Sequence, residues 1–179
     1  MKKMFCMILI GIYTLVLAAC SVNDEESTNR ELDFRSILDI ETNVILSLGD
    51  NQSVFDNALG EGDYHDGVLM REDLSSYGYA DNLLNVVFYQ GKAVRISVFN
   101  EDGGHGHDRF EFYQMSFDMA DEELDNYFSE GPWHHRYYDE NGQNIPATDD
   151  FEYLASVIMG IEGITNLTIA RRIEVESDE

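Results

Sequence analysis

"LLNVVFYQGKAVRISVFN", Leu83–Asn100, decides the fold. Two runs rich in β-branched and aromatic residues flank Gln90-Gly91, the arrangement of a hairpin closed by a tight turn. In the second run Val94, Ile96 and Val98 alternate with Arg95, Ser97 and Phe99. Successive side chains of a strand point to opposite faces, so this alternation buries one face. Working outward, "FEYLASVIMGIEGITNLTIARR", Phe151–Arg172, predicts a second hairpin that turns between Gly160 and Gly163.

A helix is predicted ahead of each hairpin. In "GDNQSVFDNALG", Gly49–Gly60, the residues Val54, Phe55, Ala58 and Leu59 fall on one helical face. Asp50 is placed to cap its start and Gly60 to end it. In "DMADEELDNYFSEG", Asp118–Gly131, the buried side is Leu124, Tyr127 and Phe128. Asp118 and Asp121 occupy the positions of a capping box, with Asp in place of Glu or Gln. A short apolar strand, "NVILSL", precedes the first helix, and "RFEFYQMSF", Arg109–Phe117, reads as a strand before the second. Asn141-Gly142 in "YYDENGQN" reads as a tight turn.

The expected fold class is therefore α+β, an antiparallel sheet with helices packed on one face. The order of elements also repeats. A shift of 69 residues lays Phe55 on Leu124, Leu59 on Phe128, Phe88 on Val157 and Gly91 on Gly160. A shared period is the signature of tandem units. These are expected at about 43–100 and 110–172, inside a domain spanning 34–174.

"ILSLGDNQSVFDNALG" followed by "LLNVVFYQGKAVRISVF" resembles the repeat of small bacterial lipoproteins and envelope proteins. Similar repeats occur in beta-lactamase inhibitor proteins, in the domain associated with secreted CAP-type proteins, and in small outer-membrane assembly lipoproteins. The first copy carries the resemblance, whereas the second lacks the "LG" motifs. The resemblance implies helices against an antiparallel sheet, and a role in binding other proteins. Fold analogy alone does not fix function.

The front end gives an address. Met1-Lys2-Lys3 is a short basic start, and "MFCMILIGIYTLVL", Met4–Leu17, is an apolar segment shorter than the roughly 20 residues of a membrane span. Together with the small residues Ala18 and Ala19 it reads as an export signal over 1–19. Leu17-Ala18-Ala19-Cys20 resembles the lipobox of bacterial lipoproteins. That resemblance implies diacylglycerylation of the Cys20 thiol and cleavage before Cys20, which becomes the new N-terminus. The chain would then be held on the extracytoplasmic face of the cell membrane, because two acyl chains anchor stably where one is marginal. Residues 20–33, almost devoid of apolar side chains, read as a flexible acidic tether, and 175–179 as an acidic tail.

The charge narrows the partners. The chain carries 11 basic and 35 acidic residues, a net charge of −24. Loss of Lys2 and Lys3 with the signal would leave 9 basic residues and a net charge of −26. Such a surface repels phosphate backbones, so nucleic acid is not an expected partner. A basic envelope or secreted protein is. The remaining cysteine, Cys6, lies in the signal, so no disulfide and no Cys-based metal site is expected.

Motifs for chemistry are sparse. No nucleophile elbow, Walker loop, H-E-x-x-H or dinucleotide fingerprint occurs, and no cofactor is expected. His105, His107 and Asp108 in "EDGGHGHDRF" are the candidate metal ligands, since imidazole with carboxylate suits zinc or copper. The surrounding glycines read equally as a loop. Trp133, Tyr137 and Tyr138, beside Pro132, are the candidate contact surface, because aromatic residues supply large rigid area with a polar tip. The leading expectation is a membrane-anchored protein- or peptide-binding module. A metal-binding lipoprotein using the His loops, or an envelope hydrolase without a recognisable motif, is the alternative. The anchor has a direct test: Cys20→Ser abolishes incorporation of an alkyne-tagged palmitate and moves the protein from the membrane fraction to the soluble fraction.

Overall fold

The computed structural model describes residues 30–65, 71–100, 106–128, 134–146, 151–160 and 163–173. The expected signal, Cys20, the first part of the tether and the acidic tail lie outside them. Contacts group Glu31–Glu179 as one unit. In chain order the described elements begin with β1 Ser36–Asp39, β2 Val44–Ser47, α1 Gln52–Leu59, β3 Asp63–Tyr64 and β4 Leu74–Tyr79. The hairpin strands β5 Leu84–Tyr89 and β6 Lys92–Phe99 follow, then α2 Gly106–Arg109, β7 Phe110–Phe112 and α3 Asp121–Tyr127. The last are β8 His134–Tyr138, β9 Asn144–Ile145, β10 Tyr153–Met159 and β11 Ile164–Arg171.

Both predicted hairpins form. Gln90 and Gly91 both take positive φ, 51° and 75°, which matches the twist of the strands they join. The strands make an eight-stranded sheet in the order β3-β4-β5-β6-β11-β10-β8-β9, and every pairing is antiparallel. The two hairpins meet along β6 and β11, where Phe99 faces Asn166 and Arg95 faces Ala170. A second sheet has the order β2-β1-β7. The structure is thus mixed and strand-rich, with antiparallel sheets.

The core draws on both sheets and on the two longer helices. Leu84, Val86, Ile96, Val98, Leu167 and Ile169 come from the large sheet, and Ile37, Leu46 and Phe112 from the small one. Phe55 of α1 is fully buried, with its ring 5.5 Å from Phe88 and 5.9 Å from Tyr79. The Tyr79 hydroxyl donates to Asp56 at 3.0 Å. Burial first, and that carboxylate second, raise its pKa and keep the phenol protonated. Leu124 and Phe128 supply the core contribution from the second helical segment.

Several local expectations give way to tertiary contacts. The strand expected over 109–117 is only three residues long, because Gly106–Arg109 forms one helical turn and Phe112 bridges back to Met115 through Gln114 at φ 56°. That turn sets Arg109 beside Asp39, with Nε 3.1 Å from Oδ1, while a second guanidinium nitrogen meets Glu41 at 3.2 Å. Asp39 is fully buried and also accepts from Thr42 at 2.6 Å, so its charge is compensated. Asp50 does not cap α1. Asn51 holds the cap position without a side-chain bond, and Asp50 instead accepts from the Ser47 amide at 2.9 Å. At α3 the cap residue is Ala120, and the Glu123 carboxylate accepts the Ala120 amide at 3.0 Å, so Asp118 stands outside the helix. Gly60 ends α1 as expected, at φ 88°. The turn at Asn141-Gly142 also forms, with Asp139 accepting the amides of Asn141 and Gln143.

Phe55 fixes α1 against β4 and β5. Phe55→Ala is expected to cost about 3–5 kcal/mol in urea unfolding, the range for emptying an aromatic core site. Ser53→Ala on the exposed side of the same helix is expected to stay within about 0.5 kcal/mol.

Candidate functional site

Alternation along the strands gives the large sheet two distinct faces. One carries the core residues. The other is read from the register as two rows that cross six strands. Ser76, Val87, Arg95, Ala170, Leu154 and Tyr137 form the first. Gly78, Asn85, Ser97, Thr168, Ser156 and His135 form the second. None of these twelve belongs to the hydrophobic core cluster.

The second face is polar yet closely filled. Ser76, Ser97, Asn166 and Thr168 are all buried. Each is satisfied by another side chain of the same face, as buried polar groups must be. Asn85 Nδ2 donates to Ser76 Oγ at 2.9 Å. Thr168 Oγ1 lies 2.7 Å from Asn166 Oδ1 and 2.8 Å from Ser97 Oγ. The threonine hydroxyl has one proton and the amide oxygen only accepts, so Thr168 donates to Asn166 and receives from Ser97. This network locks side chains from β6 and β11 into one arrangement.

Tyr137 and His135 flank the rows on β8, both half-buried, with the Tyr137 hydroxyl 3.4 Å from His135 Nδ1. Burial, and then the neighbouring His134, lower the His135 pKa, so the ring is neutral near pH 7. Tyr137 also packs edge-on against Phe151 at 5.1 Å. Phe99 and Ile158 continue the surface past the second row, and Ile158 is 42% exposed.

Arg95 stands in the middle of the first row, half-buried between Val87 and Ala170. Its Nε is buried without a hydrogen-bond partner among the described residues. Burial lowers its pKa, the mark of a cation held out of water. Beyond it, where β5 and β6 turn and β11 ends, an open groove of about 690 Å³ is lined by Tyr89, Lys92, Val94, Glu152, Arg171 and Arg172, among others.

The expected aromatic surface is split. Tyr137 and Tyr138 are consecutive on β8, so their rings face opposite ways. Tyr138 is 5% exposed, stacked on Phe34 at 5.0 Å, and belongs to the core; its place in a contact surface is corrected on that ground. Trp133, His105 and Cys20 lie outside the described residues. His107 and Asp108 fall in the single turn of α2, and Asp108 is exposed there. Among the described residues no cluster of three potential metal ligands occurs. Reading the sequence missed Arg95 and the Ser97–Thr168–Asn166 network as site residues. The alternation of Arg95 and Ser97 with the core residues was the available signal.

No family model, curated protein or solved structure matches the chain.

An arginine held half out of water without an anion costs stability. Arg95→Met keeps the aliphatic stem and removes the charge. It is expected to stabilise the fold by about 1 kcal/mol, a rise of about 2–4 °C in thermal midpoint for a chain of this size, read by circular dichroism.

Proposed function

We propose that this chain is a lipid-anchored, extracytoplasmic binding protein, and that a protein or peptide docks on the polar face of the eight-stranded sheet. The carrying observation is the rim of that face, where Tyr137, His135, Phe99 and Ile158 border the buried, hydrogen-bonded Ser97, Thr168 and Asn166. A surface whose side chains are already fixed loses little entropy on binding. Its aromatic and aliphatic border offers anchors of the kind that dominate interfaces. The net charge of −24 favours a basic partner and speeds its encounter. The lipobox-like segment supplies the anchor.

The finer architecture belongs to the same proposal. Phe55 touches Tyr79 and Phe88, and Phe128 meets His134, all residues whose register places them on the core side of the sheet. The helices α1 and α3 then lie on that side. Shifted by 69 residues, α1 falls on 121–128 and β5 on 153–158, over α3 and β10. Two tandem helix-plus-strand units, joined by β6 and β11, account for this correspondence. β4 does not land on β8 under the same shift, so the loops between helix and hairpin differ in length.

The test uses the chain tagged at its C-terminus as bait for envelope and secreted proteins of the native host, in moderate salt that screens general charge attraction. A protein retained by the wild type is expected to be lost at least tenfold with Tyr137→Ala or Ile158→Asp, both on the polar face. It is expected to be kept with Tyr64→Ala, an exposed aromatic elsewhere. Retention that all three variants leave unchanged would remove this face from the interaction.

A further inference from the structure

Gly78 stands in the interior of β4, paired in register with Asp63 on β3 and with Asn85 on β5, without a bulge. A glycine in such a place weakens its strand and marks a point of close approach. What approaches is a pair of donor atoms. A methyl group at position 78 would lie 2.5 Å from His65 Nε2 and closer still to Asn82 Oδ1. The imidazole nitrogen and the amide oxygen therefore converge over one point on the polar face of the sheet. His65 arrives there because its amide donates to the Ser76 carbonyl and so continues the β3 ladder. Asn82 arrives from the turn after β4, where Ala80, Asp81 and Asn82 take φ of 52°, 56° and 66° in succession. Asparagine and aspartate visit the left-handed region, whereas alanine pays for it in strain, and such strain gathers where a ligand is clamped.

The two groups are open to a further partner. Among the described residues neither the His65 ring nor the Asn82 side-chain amide makes a hydrogen bond. Asn82 is exposed and His65 half-buried. His65 is not one of the residues whose buried polar atoms lack a partner, so its unbonded ring nitrogens keep access to solvent. Asp63 is exposed and stands opposite Gly78 across the β3–β4 pair, so its carboxylate shares that side of the sheet. Asp63 and His65 are two residues apart along the same edge, which again puts them on one face. Histidine and carboxylate groups alone make no set of three among the described residues, and here the Asn82 oxygen supplies the third donor.

We infer that Gly78 floors a binding site for a divalent transition-metal ion of the zinc class, with His65 Nε2, Asn82 Oδ1 and the Asp63 carboxylate as ligands and water in the remaining positions. Zinc sits about 2.0–2.2 Å from imidazole nitrogens and carboxylate oxygens. Two donors that both lie within 2.5 Å of one point can share such an ion, which then rests just above the glycine, where any side chain would displace it. One nitrogen among oxygens favours zinc, copper or nickel over magnesium and calcium, which take oxygen ligands. The net charge of −24 raises the local concentration of cations. These ligands are distinct from His105, His107 and Asp108, and the inference is independent of whether the polar face docks a protein.

The test is a titration of the full chain in nonionic detergent with zinc chloride, following the ring resonances of His65 by NMR, with magnesium and calcium chloride as controls. Saturable movement of the His65 signals by zinc, and none by magnesium or calcium at the same concentration, is the expected result. Asn82→Gly keeps the left-handed backbone and removes the oxygen, and it is expected to weaken zinc binding at least tenfold. Gly78→Ala is expected to do the same, with its fold verified by thermal melting, because the added methyl occupies the space of the ion. His107→Gln is expected to bind zinc at His65 as the wild type does. No saturable movement of the His65 signals, an equal response to magnesium, or affinity unchanged in Asn82→Gly would overturn the assignment. A His65 response that disappears in His107→Gln would also overturn it, by placing the ion elsewhere.

Discussion

The pairing of β6 with β11 is the constraint on which the rest of the molecule depends. Each strand belongs to a local hairpin, and neither hairpin alone would bury its apolar face; a lone two-stranded ribbon is marginal in water. Joined along Arg95–Phe99 and Asn166–Ala170, they place Ile96 and Val98 beside Ile169 and Leu167, all essentially inaccessible to solvent. The same pairing puts Ser97 opposite Thr168 on the other face, which makes the polar network. The partners are about 70 residues apart in sequence, so closing this seam carries the main loop-entropy cost of the fold. The sheet then ends at β3 and β9, two residues each, and such short edges resist pairing with another chain.

Around that seam the protein tolerates departures from an ordinary core, of which Asp39 and Arg95 are opposite cases. The first is the fully buried Asp39, answered by Arg109 and Thr42, which ties β1 to the turn before β7 and so holds the small sheet. The second is Arg95, which has no such answer among the described residues. Buried charges are generally paired, and a position that breaks the rule without local compensation is where binding is sought.

Charge has different meanings at different scales here. Over the whole surface the excess of carboxylates sets solubility and long-range attraction for basic partners. Where β6 begins and β11 ends the sign is locally reversed, because Lys92, Arg171 and Arg172 line one groove with a single carboxylate, Glu152, among the described residues. A short-range site is governed by the groups that touch the ligand, since salt screens the distant ones within about 8–10 Å. An acidic protein with a basic groove is therefore not a contradiction.

Local patterns in the chain were sufficient for both hairpins, the turn at Gln90-Gly91, the helix with Phe55 inward and its stop at Gly60. Each depends on periodicity or on φ preferences within a few residues, and those are written in neighbouring letters. Caps were less legible: Asp50 and Asp118 looked like N-caps, yet Asp50 serves the Ser47 amide and Glu123 serves α3, because several acceptors compete for the same amides. The strand β1 escaped reading and β7 is shorter than its sequence suggests, since each is stabilised by its partner rather than by its own composition. The candidate site was half legible. Tyr137 and Tyr138 are adjacent letters, and only the placement of β8 in the sheet sends one to the core and the other to the polar face. Arg95 and the consecutive pair Arg171-Arg172 are far apart in the chain, and only the register of β6 on β11 brings them near one another. Sequence by itself determined the two hairpins and the helix that carries Phe55, because those choices are local. Tertiary structure decided which strands meet and therefore which side chains share a site, because pairing is settled by the joint burial of surfaces that no single segment contains.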